Sequence, residues 1–529
     1  MTFLPRNNLL AAFLIFCGGL LLFTIALGHQ EIIGFESRFY LFALSMWRHG
    51  PSWFPAIGEV PYPDYPATST LFIYGFAKLI GHLSKWTAVF PSAAAAAITL
   101  ATTYLIGALQ SRLWGWYAVC LLILTNTFLT EARTISPDQY ITMVTTLIFY
   151  LAASAQLFKK PGRLWFVPLL LLLGFACRGP IGLVIPAGVL CVFYLVDNDY
   201  RKFFCAAFSS IILLAMGCGL LYWLALKAGG TGFAQDVIQG QVAGRLTLST
   251  LPWYFYFTES IGAYAITYPL ALLMLIGALY NLKKIVRQNF LLKLIDWSLV
   301  ILIGMSIPAG KKIRYVLACA PALALICAYL FAEPQKQKHL LLLRRAAYWF
   351  CYFLPMVCFV ATLAVEIVGL QQHWHTQILL PAIFALFLVL QWLCWLTRTN
   401  PAGTMGIAAL SFVMAYIFLI EPINLMLNHT HNFVMNVEVM RKHEHAQLGF
   451  YQENPDGLPI KYLVNMPAEE MINYLDQPAQ LAGINTHAFF IASPENYAKI
   501  PQGVLHAMTI VATGNVGHDP VVVFTQRKN

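Results

Sequence analysis

The sequence predicts an all-α polytopic membrane protein that carries a small α/β domain at its C-terminus. Of its 529 residues, 59% are hydrophobic and only 11% are charged, whereas soluble domains are about 25% charged. Apolar runs of roughly 20 residues, each long enough to cross the hydrocarbon core of a bilayer, recur from residue 8 to residue 425. After residue 425 the composition changes to short strand-like runs that alternate with one or two helical ones.

The apolar segments, together with the basic residues between them, predict a topology. There are fourteen such segments: residues 9–28, 66–83, 89–110, 113–130, 138–157, 164–177, 179–196, 203–226, 260–281, 294–309, 313–332, 346–368, 376–397 and 404–425. Segment 66–83 is the weakest, because Gly75, Lys78, Gly81 and His82 interrupt it. If this segment lies at the interface instead of crossing, sixteen basic residues fall on one side, as expected of cytoplasmic loops. The sequence therefore predicts about thirteen spans, with the N-terminus in the cytoplasm and the C-terminus outside.

Two of the outer loops have a composition that suggests structure. In the first, residues 29–88, apolar side chains from Phe35 to Met46 recur at helical spacing. This pattern predicts an amphipathic helix along the membrane surface, ended by Gly50–Pro51. The other, residues 227–259, is Gly-rich and polar. It is either a mobile lid over a lipid cavity or a plain connector.

The composition also excludes several classes of function. The net charge of +10 does not indicate nucleic-acid binding, because basic residues in a polytopic protein mostly mark its cytoplasmic loops. The stretch GMSIPAGKK is not a phosphate-binding P-loop, since five residues separate Gly304 from Gly310 and a lysine follows Lys311. We see no soluble nucleotide-binding domain. The donor of any group transfer is therefore expected to arrive in the membrane on a lipid.

Charged residues that remain on the outer face need a reason, because charges near a bilayer are costly. In the predicted topology they are Glu36, Arg38, Asp64, Glu131, Arg133, Asp138, Arg178, Lys311, Lys312 and Arg314. Carboxylates and cations at one level suit a reaction in which a carboxylate removes a proton and cations stabilise a departing phosphate. The same cations could instead contact anionic lipid headgroups. Asp138, which follows a proline at a helix start, could serve only the helix dipole.

Several short motifs follow one another along the chain. They are Phe35-Glu36-Ser37-Arg38-Phe39, Asp64-Tyr65-Pro66, Arg133 followed by Asp138, Cys177-Arg178-Gly179-Pro180, and SIPAGKKIRYVLACAPALAL. In this order they resemble D-E-x-R-Y, E-K-P, an Arg with a following Asp, T-K-G-P, and S-x-x-K-x-x-x-Y before P-A-L-A-L. These motifs are typical of the polytopic, lipid-phosphate-sugar-dependent glycosyltransferases of the type C fold. The chain resembles above all the bacterial lipid A aminoarabinose transferases and the protein O-mannosyltransferases.

The sequence departs from these families at three positions. Phe35 stands where the principal catalytic Asp is usual, so either Glu36 takes over as the base, or the loop is offset, or activity is altered or lost. Tyr65 replaces a lysine and so removes one phosphate ligand. Arg178 replaces another lysine, which keeps the charge and adds bidentate geometry for phosphate.

The resemblance implies an enzyme of the bacterial inner membrane that uses a polyprenyl-phosphate sugar donor. It would transfer the sugar to a lipid A-like lipid, and so modify lipopolysaccharide, or to a protein at the periplasmic face. Residues 1–425 are then the transmembrane catalytic domain, and residues 426–529 are a soluble periplasmic α/β domain. No cofactor is required by the resemblance, although some relatives bind a divalent metal near the phosphate.

The resemblance also assigns roles to individual residues. Glu36 is expected to be the carboxylate nearest the chemistry, and Asp138 to orient it or share its role. The donor phosphate would be held by Arg38, Arg133, Arg178, Lys311 and Lys312. Asp64 and Tyr65 would position the acceptor or an ion. Two alternatives stay open: a transporter or flippase of a lipid-linked sugar, and a catalytically inactive binder, which Phe35 favours.

Overall fold

The structure is a computed structural model that describes residues 7–243, 251–279, 287–308, 310–335, 337–371, 380–427, 429–467, 472–482 and 487–526. In these parts of the chain, eighteen α-helices precede the C-terminal domain. They are α1 (Asn8–Thr24), α2 (Glu36–His49), α3 (Thr68–Ile80), α4 (Lys85–Ala108), α5 (Arg112–Ile123), α6 (Asn126–Ala132), α7 (Pro137–Leu157), α8 (Val167–Arg178), α9 (Pro180–Val196), α10 (Tyr200–Ile238), α11 (Phe255–Ala263), α12 (Thr267–Leu279), α13 (Gln288–Ser306), α14 (Ala320–Ala332), α15 (Lys338–Gln371), α16 (Leu380–Leu396), α17 (Pro401–Ala415) and α18 (Glu421–Leu427).

Each of the fourteen predicted apolar segments contains a helix, which confirms the predicted fold class. Within the described residues, eight helices are long and apolar enough to cross a membrane, or up to ten if each bent pair counts as one span. The bent pairs are α5 with α6 and α11 with α12. Four shorter apolar helices include α1, α3 and α9. The thirteen spans and the interfacial position of segment 66–83 stay predictions.

Small residues let the central helices approach closely. A Cβ added to Gly107 in α4 would lie 2.5 Å from the Cα of Gly115 in α5. A Cβ on Gly174 in α8 would lie 2.1 Å from the carbonyl oxygen of Gly182 in α9. Close helix contacts through glycine are typical of membrane proteins, where interfaces rely on van der Waals packing. The α8–α9 contact fixes the end of α8, where Arg178 is the last residue.

The two outer loops differ in how well the sequence predicted them. Helix α2 ends at Gly50, whose φ of 96° is a conformation that favours glycine, as expected. Residues 227–238, by contrast, are not a loop: α10 continues through them to Ile238 with a break at Gly230, where φ is 76°. A π-helical turn, Gln239–Ala243, follows. The rest of the predicted lid includes residues 244–250, which lie outside the described residues.

The C-terminal part contains the predicted α/β domain. Its five-stranded sheet has the order β4-β3-β5-β7-β6 and combines parallel and antiparallel pairs. The strands are β3 (Gln447–Tyr451), β4 (Asn473–Leu475), β5 (Ala488–Ala492), β6 (Met508–Val516) and β7 (Asp519–Gln526); the helices are α19 (Thr430–His443), α20 (Leu458–Leu463), α21 (Pro478–Ala482), α22 (Pro494–Ala498) and α23 (Gln502–Leu505). Two clusters of buried apolar side chains form its core.

The sheet domain rests on the first outer loop, which also contains a hairpin of β1 (Ala56–Ile57) and β2 (Val60–Pro61). The Tyr62 hydroxyl donates a hydrogen bond of 2.5 Å to Asp456. Glu31 lies against the start of α19. Burial raises the pKa of the Glu31 carboxyl, and the backbone N–H groups of His431 and Thr430 oppose this increase. Both contacts tie the loop before α3 to the C-terminal domain.

Candidate active site

Asp138 is the centre of a buried cluster of charges. Its carboxylate lies between two guanidinium groups, with Arg178 Nε 3.1 Å from Oδ1 and Arg314 Nε 3.3 Å from Oδ2. Arg178 also donates a hydrogen bond of 3.3 Å through Nη2 to Oδ2. Asp138 and Arg178 are 3% and 2% exposed. A carboxylate held by two arginines is fixed in orientation and in turn fixes both of them.

Helix ends place these three side chains. Pro137 opens α7, so Asp138 lies in the first turn, where a carboxylate is favoured by the helix dipole. Arg178 is the last residue of α8, and Gly179, with φ of 63°, turns the chain into α9. Arg314 lies in a 3-10 turn that leads into α14. Three distant segments therefore converge at one level of the helix bundle.

Aromatic rings flank both guanidinium groups. Arg178 lies over the rings of Tyr65 and Tyr315, with its Cζ 5.2 Å and 5.3 Å from the ring centroids. Arg314 lies over the Phe35 ring, its Cζ 3.2 Å from the centroid. Such contacts stabilise a cation without occupying its N–H donors in the plane of the guanidinium. Arg178 Nη1 and Arg314 Nη2 have no hydrogen-bond partner within the described residues.

Asp64 is a second buried carboxylate beside this cluster. Its Oδ1 accepts hydrogen bonds from the backbone N–H of Tyr65, at 2.9 Å, and from Gln241 Nε2, at 3.2 Å. Its Oδ2 lies 3.7 Å from Arg38 Nη2 and accepts no hydrogen bond from any described residue. Arg178 also interacts electrostatically with Asp64. Asp64, Tyr65 and Arg38 thus belong to the same cluster as Asp138.

Glu36 lies next to the cluster but is occupied by structural contacts. It forms a buried ion pair with Lys85. Its Oε1 accepts the Ile33 N–H at 3.4 Å, and its Oε2 accepts the Ile135 N–H at 3.3 Å. The sequence did not single out Lys85, which lies at the start of α4. The role of Glu36 as the carboxylate nearest the chemistry stays a prediction, and the contacts show a role in joining the first outer loop to the start of α7.

Arg133 has all its described contacts away from the charge cluster. Its Nε and Nη2 donate to the two oxygens of Glu421 at 2.6 Å and 2.9 Å. Its Nη1 and Nη2 also donate to the carbonyls of Leu22, at 2.8 Å, and Ile25, at 2.9 Å. The side chain therefore ties α1, α6 and α18 together. Phosphate binding by Arg133 stays a prediction, and the proposal below does not use it.

Replacing Arg133 by leucine is expected to destabilise the protein by about 3–5 kcal/mol, because it leaves the Glu421 charge buried without its partner. Thermal unfolding of the purified protein in detergent measures this loss. The double replacement of Arg133 by leucine and Glu421 by leucine removes both charges and should cost less than the single change. A double variant that is less stable than Arg133→Leu would contradict the assignment.

Two lysines precede Arg314 in the chain, and the second of them, Lys312, belongs to the cluster. Lys311 is 8% exposed, and its Nζ donates to the Leu251 carbonyl at 3.3 Å. Lys312 lies close to Arg38, Arg178 and Arg314 in the field of the cluster. Four cations, Arg38, Arg178, Arg314 and Lys312, thus lie around three carboxylates, Asp64, Asp138 and Glu131. The surplus of positive charge suits an anion.

Lys312 gives the site an expected dependence on pH. Burial lowers the pKa of Lys312, and the neighbouring Arg314 lowers it further. Because an ammonium group is lost as pH rises through its pKa, this cation should disappear at a lower pH than an ordinary lysine, whose pKa is about 10.4. Phosphate affinity should therefore fall on the alkaline side, over a pH range in which a phosphate monoester, whose second pKa is about 6, no longer titrates.

Binding of farnesyl phosphate, measured from about pH 7 to about pH 10, tests this expectation. Lys312→Arg is the matched control, because arginine keeps its charge throughout that range. The alkaline fall should be smaller in the arginine variant. Equal profiles in the two proteins would show that Lys312 does not contribute to anion binding.

The surroundings of the charge cluster contain a cleft. Within the residues described, no group of three His, Cys, Asp or Glu side chains could hold a metal ion. A cleft of about 770 Å³ lies between α2, the β1–β2 hairpin and the sheet domain. It is lined by Leu41, Leu44, Ser45, Arg48, His49, Ile57, Gly58, Glu59, Val60, Pro61, Tyr62, Leu463, Ile472 and Tyr474. Tyr62, which borders this cleft, contacts Arg38 of the charge cluster, whose Cζ lies 5.9 Å from the centroid of the Tyr62 ring.

The chain resembles known proteins in both sequence and fold. Residues 64–224 match the family model described as dolichyl-phosphate-mannose-protein mannosyltransferase. An uncharacterized protein of Aquifex aeolicus (strain VF5) is 27% identical over 357 residues, which are 66% of this chain and 68% of that protein. The family match begins at Asp64 and includes Arg133, Asp138 and Arg178.

Two solved structures share the fold along nearly the whole chain. They are of ArnT from Cupriavidus metallidurans, one bound to undecaprenyl phosphate and one in the apo state. Each has a TM-score of 0.70 and covers 97% of both chains, at 13% and 14% sequence identity. The family match and this shared fold confirm the resemblance and the fold class predicted from the sequence.

Proposed function

We propose that this chain, a multi-pass membrane protein whose fold and family match indicate a glycosyltransferase, transfers a sugar from a polyprenyl-phosphate carrier to an acceptor at the periplasmic face of a bacterial inner membrane. The acceptor is a lipid A-like lipid or a protein. A polyprenyl-phosphate donor is supported by the shared fold with ArnT bound to undecaprenyl phosphate and by the charge of the site.

The observation that carries the proposal is the surplus of cations around the buried carboxylate of Asp138. Arg178 and Arg314 each keep at least one N–H group without a hydrogen-bond partner in the part of the chain that the structure describes. Buried donors are nearly always satisfied in proteins, so these groups point to a ligand with acceptor oxygens. A phosphate offers several such oxygens and the opposite charge, and arginine can bind it through two N–H groups at once.

The chemistry follows from the neighbouring carboxylate. The acceptor hydroxyl attacks the anomeric carbon, and the bond between this carbon and the phosphate oxygen breaks. The hydroxyl proton goes to Asp64, and the polyprenyl phosphate leaves with the electron pair of the broken bond. Negative charge on the phosphate grows in the transition state, where Arg178, Arg314 and Lys312 stabilise it. A single displacement of this kind inverts the configuration at the anomeric carbon.

The cleft between α2 and the sheet domain supports a role of the C-terminal domain in acceptor binding. It is open to solvent, is lined by residues of both parts of the chain, and borders Tyr62, which contacts the charge cluster through Arg38. Tyr62 is two residues before Asp64 in the chain, which supports the approach of an acceptor hydroxyl to Asp64 from this cleft. The π-helical turn Gln239–Ala243 contacts Asp64 through the hydrogen bond that Gln241 donates. This contact supports a lid role for this part of residues 227–259.

Purified protein in detergent, incubated with polyprenyl-phosphate sugars and with lipid A or a peptide acceptor, tests the proposal. Mass spectrometry should detect a new glycosidic bond on the acceptor. A transporter or flippase would bind and move the donor without forming this bond. The inactive binder, which Phe35 favours, would bind the donor and likewise leave every acceptor unmodified, and either result would contradict the enzymatic proposal.

A further inference from the structure

Phe35 holds an unusual place in the charge cluster. It directly precedes α2, and its ring is only partly buried. Three cations surround the ring: Arg314 Cζ lies 3.2 Å from its centroid, Arg38 Cζ 5.8 Å and Lys312 Nζ 6.0 Å. The rings of Phe35 and Phe39 pack edge to face, with their centroids 4.9 Å apart, and Phe39 thereby supports the Phe35 ring. A benzyl side chain thus stands where the cations converge.

The contact with Arg314 is the tightest of these and leaves its donors available. Stacked on the ring, the guanidinium is held over one face and keeps its N–H groups in its own plane. Among the described residues, neither Nε nor Nη2 of Arg314 has a hydrogen-bond partner with suitable geometry, although Nε lies 3.3 Å from Asp138 Oδ2. The Phe35 ring therefore fixes the position of the Arg314 guanidinium. The N–H groups at Nε and Nη2 stay available to a ligand.

An acidic side chain at position 35 would act differently. A carboxylate at this distance would pair with Arg314 and occupy the same N–H groups that a phosphate needs. It would also lower the net positive charge of the cluster by one. Phenylalanine attracts the cation through its ring electrons instead, so it does not compete with an anion.

We propose that Phe35 is a positioning residue that holds Arg314 as a ligand of the donor phosphate. This inference rests on the proposed function, because it takes the bound anion to be the phosphate of a polyprenyl carrier. The inference adds Arg314 to the phosphate ligands that the sequence analysis expects. It also gives Phe35 a role that does not require an acid at this position. The proton of the acceptor is left to a different residue, Asp64.

A double-mutant cycle with farnesyl phosphate as the probe tests the inference. Phe35→Leu should weaken binding roughly threefold to thirtyfold, the range expected for losing one cation–aromatic contact, and Phe35→Tyr should restore it. Phe35→Asp should weaken it more than Phe35→Leu. In an Arg314→Gln background, Phe35→Leu should cost little, because the ring no longer has a guanidinium to hold.

The control is Trp395→Leu, which removes the ring under Arg398 at the turn between α16 and α17 and should leave probe binding unchanged. If Phe35→Leu weakens binding as much in the Arg314→Gln background as in the wild type, Phe35 acts through the fold and the inference is overturned. If the wild type binds the probe and none of the Phe35 variants changes binding, the inference alone fails. If the wild type does not bind the probe, the proposed donor class fails with it.

Discussion

Replacing Asp64 by asparagine is expected to lower the rate of sugar transfer by about 10²–10⁴-fold, the usual contribution of a general base. Asparagine has the same shape, and its oxygen can still accept the Tyr65 N–H and the Gln241 amide, so the surrounding loop should fold normally. Only the ability to take up a proton is lost. Donor binding should stay near the wild-type value, because the cations of the cluster remain. The kcat and KM for a polyprenyl-phosphate sugar, together with farnesyl phosphate binding, measure the two effects separately.

Glu36→Gln is the matched comparison for Asp64→Asn. Glu36 forms a buried ion pair with Lys85, so neutralising it leaves a buried ammonium without its partner, which is costly. We expect Glu36→Gln to lower the unfolding temperature more than Asp64→Asn does. If instead Glu36→Gln stays fully folded and abolishes transfer while Asp64→Asn remains active, then Glu36 is the base, as the sequence suggested.

Replacing Arg178 by glutamine is expected to lower kcat by about 10²–10³-fold, as does the loss of one donor that stabilises transition-state charge. Arg178 is 2% exposed, holds Asp138 and keeps one N–H group without a described partner. Its loss removes a cation from the departing phosphate and leaves Asp138 with Arg314 alone. Arg314 would then be drawn into a closer pair with the carboxylate, which weakens phosphate binding further.

Arg178→Lys separates charge from geometry. Lysine keeps the positive charge but cannot hold a carboxylate and a phosphate through a planar fork. Its kcat, measured under single-turnover conditions, should lie between those of the wild type and Arg178→Gln. A Gln variant with wild-type kcat would show that Arg178 only supports Asp138 and takes no part in transfer.

Topology explains why the sequence predicted so much of the site. Asp64, Asp138 and Arg178 lie far apart along the chain, but alternate loops of a polytopic protein share one face. The turn after Arg178 was visible from Gly179, and the helix start before Asp138 from the proline that precedes it. Both predictions depend only on neighbouring residues in the chain, so a single sequence is enough to make them.

The pairing of charges could not be predicted in the same way. Lys85 is separated from Glu36 by 49 residues, and Glu421 from Arg133 by 288. Such pairs depend on which helices pack together, which apolar composition does not specify. The resemblance assigned Arg133 to the donor phosphate, which stays a prediction, and the structure shows its side chain paired with Glu421 of α18. The extension of α10 to Ile238 was missed because glycines at its start favour a loop.

The contacts between the first outer loop and the sheet domain limit how this protein can be divided. Tyr62 donates a hydrogen bond to Asp456, and its ring lies beside Arg38, with the Arg38 Cζ 5.9 Å from the ring centroid. Glu31 lies against the first turn of α19. A chain cut after α18 would therefore lose not only its tail but also Asp456, the partner of Tyr62 beside Arg38 of the charge cluster. Chimaeras that exchange tails to alter acceptor choice have to keep both junctions, or the loss of transfer will be mistaken for a change of specificity.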